Sequence, residues 1–276
     1  MIAQFKHQLS SSLCLFLEHE LLRQGQAYTN TTGTFYPSTN KKIDGINFSS
    51  SPAAQWVYDS SIDGAIIPSG VYLDSNFTPR DSTGVALNFI NGGAYHSGNY
   101  AISGEYAQKD LNFYFRPEQD TELFVRKSFE SKNPIDFISG SNDLNINAPC
   151  VIVNHRDSQN SPFAFGGHDE TETNFQAVII SDNPYLLDGA LSIFGDLNET
   201  CFPVIDFEDI PWGANGDLKG GDFNYTGLSL NYPNPNQQAF VDRVITNTVR
   251  QSSDGRNNFY LGYAEFRILF WRYPRV

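Results

Sequence analysis

Apolar residues recur at spacings of three and four over one long stretch only, near the start of the chain. Ile2, Phe5, Leu9, Leu13, Phe16, Leu17 and Leu21 follow that spacing, with Lys6, Gln8, Ser10 and Ser11 between them. The pattern predicts an amphipathic helix over 1–26. Gly25 is placed to end it in a left-handed cap. Leu13, Leu15, Phe16 and Leu17 widen the apolar face beyond what one contact needs. That face must be buried, either against the chain's own sheet or against a neighbouring subunit, and Phe16, Leu17 and Leu21 are its candidate interface residues.

Beyond Gly25 the period changes to two. Asn30 to Ser50 reads as loop or irregular strand, anchored by Phe35, Tyr36, Ile43, Ile46 and Phe48. Strands are expected at Trp56 to Tyr58, Gly64 to Asp74, Val85 to Ile90, Ala101 to Tyr106, Leu111 to Phe115 and Thr121 to Phe129. They form an antiparallel meander. Asn91-Gly92-Gly93 is a turn with ready access to positive φ. In Leu111 to Phe115 the odd positions form an apolar face and Asn112 and Tyr114 point away. Glu118 to Lys127 also reads as a short helix.

A second series begins near Ala148. Cys150 to Val153 is a short apolar strand, Asp157 to Gly167 is turn-rich, and Thr173 to Ser181 is a strand. Tyr185 to Phe194 reads as a helix capped by Asp182 or Asn183, with Pro184 at its first position. Gly213 to Pro235 includes a long loop, in which Leu228, Leu230 and Tyr232 fit a strand. Asn236 to Arg250 reads as helix or strand: Phe240, Val241, Val244 and Ile245 suit a helical face, while Thr246, Thr248 and Val249 suit a strand. Tyr263 to Trp271 is a terminal strand. The least poor boundary, Asn133 to Pro149, divides the rest into β-rich parts 27–147 and 148–276, which are two domains or one continuous one. The fold class is α+β and mainly β: an N-terminal amphipathic helix, then antiparallel sheets with long loops.

Composition narrows what such a fold does. The chain has 276 residues, 40% hydrophobic, with 22 Phe, 14 Tyr and 3 Trp, which is ample for a core. Its formal charge of −13, from 31 acidic and 18 basic residues, repels phosphate backbones. Basic residues adjoin only in pairs, as at Lys41-Lys42, so sequence-specific nucleic-acid binding is not expected. The first apolar residues are interrupted by His7, Glu18, His19 and Glu20, unlike a secretory leader, and no run of 18 apolar residues follows. Synthesis in a reducing cytoplasm and no membrane partner are the expectation. Asn-x-Ser/Thr sites at Asn30, Asn47, Asn76, Asn198 and Asn224 then reflect composition.

Candidate chemistry is sparse. No phosphate-cradling loop, dinucleotide fingerprint or nucleophile elbow is present. Cys14, Cys150 and Cys201 are widely spaced and read as small buried hydrophobes. The histidines form no metal-binding pair, although His155, His168 and Asp169 have the chemistry to form a site if folding brings them together. His168-Asp169-Glu170-Thr171-Glu172 lacks the positions of a calcium loop and reads as a solvated acidic turn, with a calcium site or partner patch as alternatives. Asp206, Glu208 and Asp209 read the same way. No catalytic residue, metal or cofactor is assigned, and the expectation is a protein-interaction part, not an enzyme. Trp56, Trp212 and Trp271, with the tyrosines, suit cores, protein interfaces or sugar stacking. A carbohydrate-binding, lectin-like module is the alternative.

Two stretches resemble known proteins. ALNFINGG and ISGEYAQKDLNFYF, within Ala86 to Phe115, resemble the β-rich part of structural proteins of tailed bacteriophages. FAFGGHDETETNFQAVIISDNPYLLDGALSIFGD, Phe163 to Asp196, is similar to a segment of virion proteins of large contractile-tailed phages. The helix followed by a β domain also resembles small ring-forming tail and neck proteins. The resemblance implies a virion structural protein at the neck (connector), tail end or baseplate, made in the bacterial host. Its partners would be copies of itself in a ring and other phage structural proteins. Exposed strand edges and loops would make the contacts, with aromatic anchors. The preferred contact sites are Gly213 to Pro235, beside Trp212, and the terminal Trp271 to Val276, which includes Tyr273.

Overall fold

The computed structural model describes residues 5–37, 46–49, 54–80, 82, 84–90, 92–96, 98, 100–115, 148–162, 167, 169–212, 218–253 and 258–272. The fold is α+β and strand-rich: an N-terminal helix, α1 (Phe5–Gly25), precedes antiparallel sheets joined by long loops. Packing divides the chain into two compact units that follow the sheets, not the linear order 1–26, 27–147 and 148–276. One comprises Met1–Gln26, Phe113–Ile210 and Thr226–Val276, the other Ala27–Asn112 and Pro211–Tyr225. The segments expected at Thr121 to Phe129 and Glu118 to Lys127 lie outside the described residues.

The Ala27–Asn112 unit holds two four-stranded sheets. Its strands are β1 (Tyr28–Thr34), β2 (Tyr36–Pro37), β3 (Ile46–Ser49), β4 (Gly70–Leu73), β5 (Asn76–Pro79), β6 (Val85–Asn88), β7 (Gly93–His96) and β8 (Ile102–Lys109). The orders are β1-β8-β4-β5 and β2-β3-β7-β6: the sequential pairs β2-β3, β4-β5 and β6-β7 of the expected meander are present, but β1-β8, β4-β8 and β3-β7 join distant strands. Trp56 is the centre of the core: it stacks on Tyr106 at 4.9 Å and meets Phe35 and Phe89 at 5.7 and 6.1 Å. Trp56 to Tyr58 is not a strand, because its amides are divided between two partners. Trp56 donates to the Phe89 carbonyl and Val57 to that of Ala107.

Ala65 to Ile67 also stays outside the sheet. The Ile66 amide donates to Asn30 Oδ1, and Pro68 has no amide to donate, so the strand starts only at Gly70. Asp74 and Ser75, both at positive φ, turn β4 into β5 as a two-residue hairpin of the twist-compatible type. Gly92 takes the expected positive φ, at +59°, and a Cβ there would lie 1.9 Å from the Ala54 carbonyl oxygen. Asn112 does not face solvent: it is buried with Leu111, and its Oδ1 accepts the Gln55 amide.

The other unit is built on six strands in the order β12-β13-β14-β11-β10-β9. These are β9 (Asn112–Phe115), β10 (Cys150–Pro162), β11 (Asp169–Ser181), β12 (Cys201–Pro203), β13 (Gln238–Ser253) and β14 (Asn258–Arg272). The expected turns at Asp157 to Pro162 are strand instead. Their polar side chains find cross-strand partners: Asn174 donates to Asp157 at 2.7 Å and Thr171 to Asn160 at 2.8 Å.

Helix α2 (Pro184–Asp196) begins as its sequence predicts, with Asn183 Oδ1 accepting the Tyr185 amide and Pro184 following. Leu187, Ala190, Leu191 and Phe194 form its buried stripe, and Phe194 meets Phe266 of β14 at 5.8 Å. On the opposite face of the sheet Tyr114, Cys150, Ile152, Val178 and Ile180 cluster with Leu261 and Tyr263. Leu228 to Tyr232 is not the expected strand. A short helix, α3 (Tyr225–Ser229), starts where Asp59 Oδ1 accepts the Tyr225 amide, and it leaves Leu230 in solvent.

Helix α1 departs from the amphipathic expectation, since every residue from Leu9 to Leu22 is buried. Two of its buried serines are satisfied within the helix and by a distant amide. Ser10 and Ser12 donate to the carbonyls of Lys6 and Gln8, and Ser12 Oγ accepts the Ile205 amide. The left-handed residue at its end is Gln26, not Gly25. Gly25 instead lies close to α2: a Cβ there would lie 2.7 Å from Cδ1, the end of the Ile193 side chain, which would have to shift.

Gly262 lies at a similar close approach between α2 and β14. A Cβ would lie 2.7 Å from Leu187 Cδ1 and 2.9 Å from Leu191 Cδ1. The branched side chain of a Gly262→Val variant must push these leucines off the sheet, an overpacking cost of about 1–3 kcal/mol. Urea denaturation followed by circular dichroism is expected to show that loss of stability with an unchanged slope.

Candidate functional site

The most conspicuous feature of the six-stranded sheet is a mismatch in length. Strand β13 has 16 residues and pairs with β14 along its inner edge, but β12 has only three and pairs with Gln238 to Phe240. The turn before β12 covers a little more of the outer edge. Glu199 donates to the Val241 carbonyl, Val241 to that of Thr200, and the Val244 amide to Asn198 Oδ1 at 3.2 Å. Past that point, among the described residues, nothing pairs with the outer edge of Thr246 to Val249.

Strand geometry decides which groups are left over. The outward amide of Val244, with the two-residue alternation of a strand, directs the amides and carbonyls of Thr246 and Thr248 outward as well. Thr246 to Val249 are all exposed. Ile245 and Val249, 39% and 41% exposed, stand on one face with Asn247 between them. Thr246 stands on the other, its Cγ2 facing Gly195 of α2. No charge interrupts Val244 to Val249. Natural edges are ordinarily blunted by lysine, proline, bulges or a short length; Thr246 to Val249 carries no lysine or proline and is limited by its four-residue length and its flanking bulges. Bulges at Val241/Arg243 and Val249/Ser252 bracket it.

Side chains hold the first bulge in place. Asp242 sits in it and meets Arg267 Nε at 3.4 Å, while Arg267 Nη2 bonds Glu172 at 2.7 Å. These groups are about one-third exposed, so the network is worth roughly 0.5–1 kcal/mol and serves mainly to fix geometry. Glu170 accepts from Trp271 Nε1 at 3.1 Å. The acidic cluster expected as a solvated turn is therefore strand: Glu170 and Glu172 share one face of β11, and Thr171 is buried on the other.

The interface residues expected from sequence divide sharply. Phe16, Leu17 and Leu21 are buried in the chain's own core, Phe16 stacked on Phe202 of β12 at 5.2 Å. Trp212 is half-buried and bridged to Leu218, itself packed on the core around Trp56. Residues 213–217 lie outside the described residues. Trp271 is half-buried beside Glu170. Tyr273 lies outside the described residues. The β13 edge was hidden from sequence reasoning. Thr246, Thr248 and Val249 signalled a strand, but whether a strand has an open edge depends on the length of its neighbour.

Groups with chemical potential stay apart. His155 Nε2 lies 2.8 Å from Ser158 Oγ, and burial lowers the imidazole pKa. Asp169 pairs with Pro162, seven residues along β10 from His155 and so about 20 Å away. His168 lies outside the described residues. Burial raises the Cys150 thiol to about 12, and Cys201 is exposed on β12, against the expectation of three buried cysteines. Among the described residues no group of His, Cys, Asp and Glu has metal-binding geometry. No described helix is long and apolar enough to cross a membrane.

No protein-family model matches the chain, and a search of curated proteins finds no match.

The Asp206 to Asp209 turn is tied to the fold by buried Tyr232, which donates to Asp209 Oδ2 at 2.6 Å and accepts the Asp206 amide. Burial and the Asp209 bond raise its phenol to about 12 from 10.0. The folded state thus holds this proton more tightly than the unfolded state. The resulting stability is complete below pH 10 and disappears as pH rises through about 12. Tyr232→Phe is expected to lower stability by about 1–3 kcal/mol at pH 7. The gap from wild type, read from urea midpoints, should narrow above pH 10.

Proposed function

We propose that this protein is a structural part of a larger assembly that works through strand-edge contacts and not through catalysis. The edge of β13 at Thr246 to Val249, unpaired among the described residues, carries the reading. It offers a row of backbone donors and acceptors on a sheet that two helices and a second apolar cluster hold rigid. A partner strand laid there gains main-chain hydrogen bonds at little conformational cost to the protein, and Ile245 and Val249 supply apolar contact.

The resemblance of Phe163 to Asp196 to virion proteins supports placing that assembly in a contractile-tailed phage particle, at the neck, tail end or baseplate. Copies of the chain and other virion proteins are then the partners. A carbohydrate-binding role draws less support. The exposed aromatic pair Tyr72 and Phe77 meets edge to face at 63°, so the two rings do not form one flat platform for a sugar.

Thr248→Pro removes one outward amide without touching the ladder to β14, and an edge strand tolerates it. In cells producing the particle, wild-type protein is expected to co-sediment with it. The variant is expected in the soluble fraction with an unchanged far-UV circular dichroism spectrum. Wild-type protein recovered only as free monomer, or equal incorporation of both, contradicts the proposal.

A further inference from the structure

The open stretch of β13 reads nearly the same in both directions: Ile245-Thr246-Asn247-Thr248-Val249. In an antiparallel pair of identical strands related by a two-fold axis, each residue meets its mirror position about the centre. With Asn247 at the centre, Ile245 lies opposite Val249, Thr246 opposite Thr248, and Asn247 opposite itself. From this self-complementarity and the open edge, we infer that β13 pairs with β13 of a second copy of this chain, antiparallel and centred on Asn247. The inference rests on the edge-pairing reading above and names its partner.

Hydrogen-bond phase agrees with this register. An antiparallel pair alternates between residues that exchange two bonds and residues that exchange none. The outward groups belong to Thr246 and Thr248, so each Thr246–Thr248 pair exchanges both bonds and Asn247 falls at the non-bonded position on the axis. Centring on Thr246 or Thr248 also satisfies the phase, but it sets Ile245 or Val249 opposite Asn247 and leaves the apolar residues unmatched. The Asn247 register instead joins two β-branched side chains at each end of the pair, the combination that stabilises cross-strand neighbours. On the α2 face it sets threonine against threonine.

The ends of the pairing are also defined. The Val244 amide is already taken by Asn198, and the ladder to β14 is bulged after Val249. No charged side chain lies inside Ile245 to Val249, so acidic groups reach the contact only from a neighbouring strand, as Glu265 opposite Ile245 does. The product is one continuous sheet across the dimer. Such a dimer is closed by its own symmetry, and growth into a ring needs a second, different contact.

Non-bonded antiparallel partners have Cα atoms about 4.5 Å apart, inside the range of roughly 4.4–6.8 Å that a disulfide spans. The test uses the full chain carrying Cys201→Ser, which removes the exposed native thiol. Onto it, Asn247→Cys, Thr246→Cys and Thr248→Cys are placed one at a time. Under mild oxidation Asn247→Cys is expected to give at least ten-fold more disulfide-linked dimer than either neighbour. Sedimentation velocity is expected to show dimer for wild type and monomer for Thr248→Pro.

Equal cross-linking at all three positions, or cross-linking mainly at Thr246→Cys or Thr248→Cys, overturns the inference. So does a wild-type monomer at every concentration. If that monomer still enters the particle through β13, the edge-pairing reading stands and only the second copy as partner fails. If Asn247→Cys cross-links while Thr248→Pro is incorporated normally, the dimer holds and the edge's role in the particle fails.

Discussion

A backbone amide in a sheet pairs either with another strand or with water, and among the described residues nothing pairs with the outer edge of the six-stranded sheet at Thr246 to Val249. Three residues of β12 lie against the sixteen of β13. The turn at Asn198 to Thr200 satisfies two more positions. Everything else about β13 makes the remainder conspicuous: it is anchored to β14, bracketed by bulges, and held at one bulge by Asp242 and Arg267. An edge left open at the end of such a rigid sheet is pre-organised for a strand from elsewhere.

Rigidity comes from how closely the helices approach the sheet. Gly262 lets Leu187 and Leu191 press on β14, and Gly25 lets α1 approach α2. Phe194 and Phe16 then seat on Phe266 and Phe202. The consequence for α1 is burial on every side from Leu9 to Leu22, which Ser10 and Ser12 tolerate by bonding within the helix and, for Ser12, to the Ile205 amide. A face taken up by the chain's own core is closed to a neighbour. Phe16, Leu17 and Leu21 are thus buried, while Thr246 to Val249 at the sheet edge are exposed.

Much of the fold could be read from the residues. The mainly-β class, α2 with its Asn183 cap, the strands at Thr173 to Ser181 and Tyr263 to Trp271, and the Gly92 turn all follow local rules of period, capping and φ. The failures have long-range causes. Leu228 to Tyr232 alternates like a strand, but Asp59, more than 160 residues earlier, caps a helix there. Asp157 to Pro162 looks like a loop until β11 supplies partners for its polar side chains. The candidate site was the least legible feature, because an open edge is a relation between strand lengths, not a property of any segment.

Amide hydrogen exchange at Thr246 and Thr248 tests the central claim most directly. In dilute protein both amides should exchange rapidly beside the protected amides of Ile245 and Asn247, which face β14, and in the assembled state all four should be slow. Slow exchange at Thr246 and Thr248 in dilute monomer, or no change on assembly, would contradict an edge held open for a partner strand.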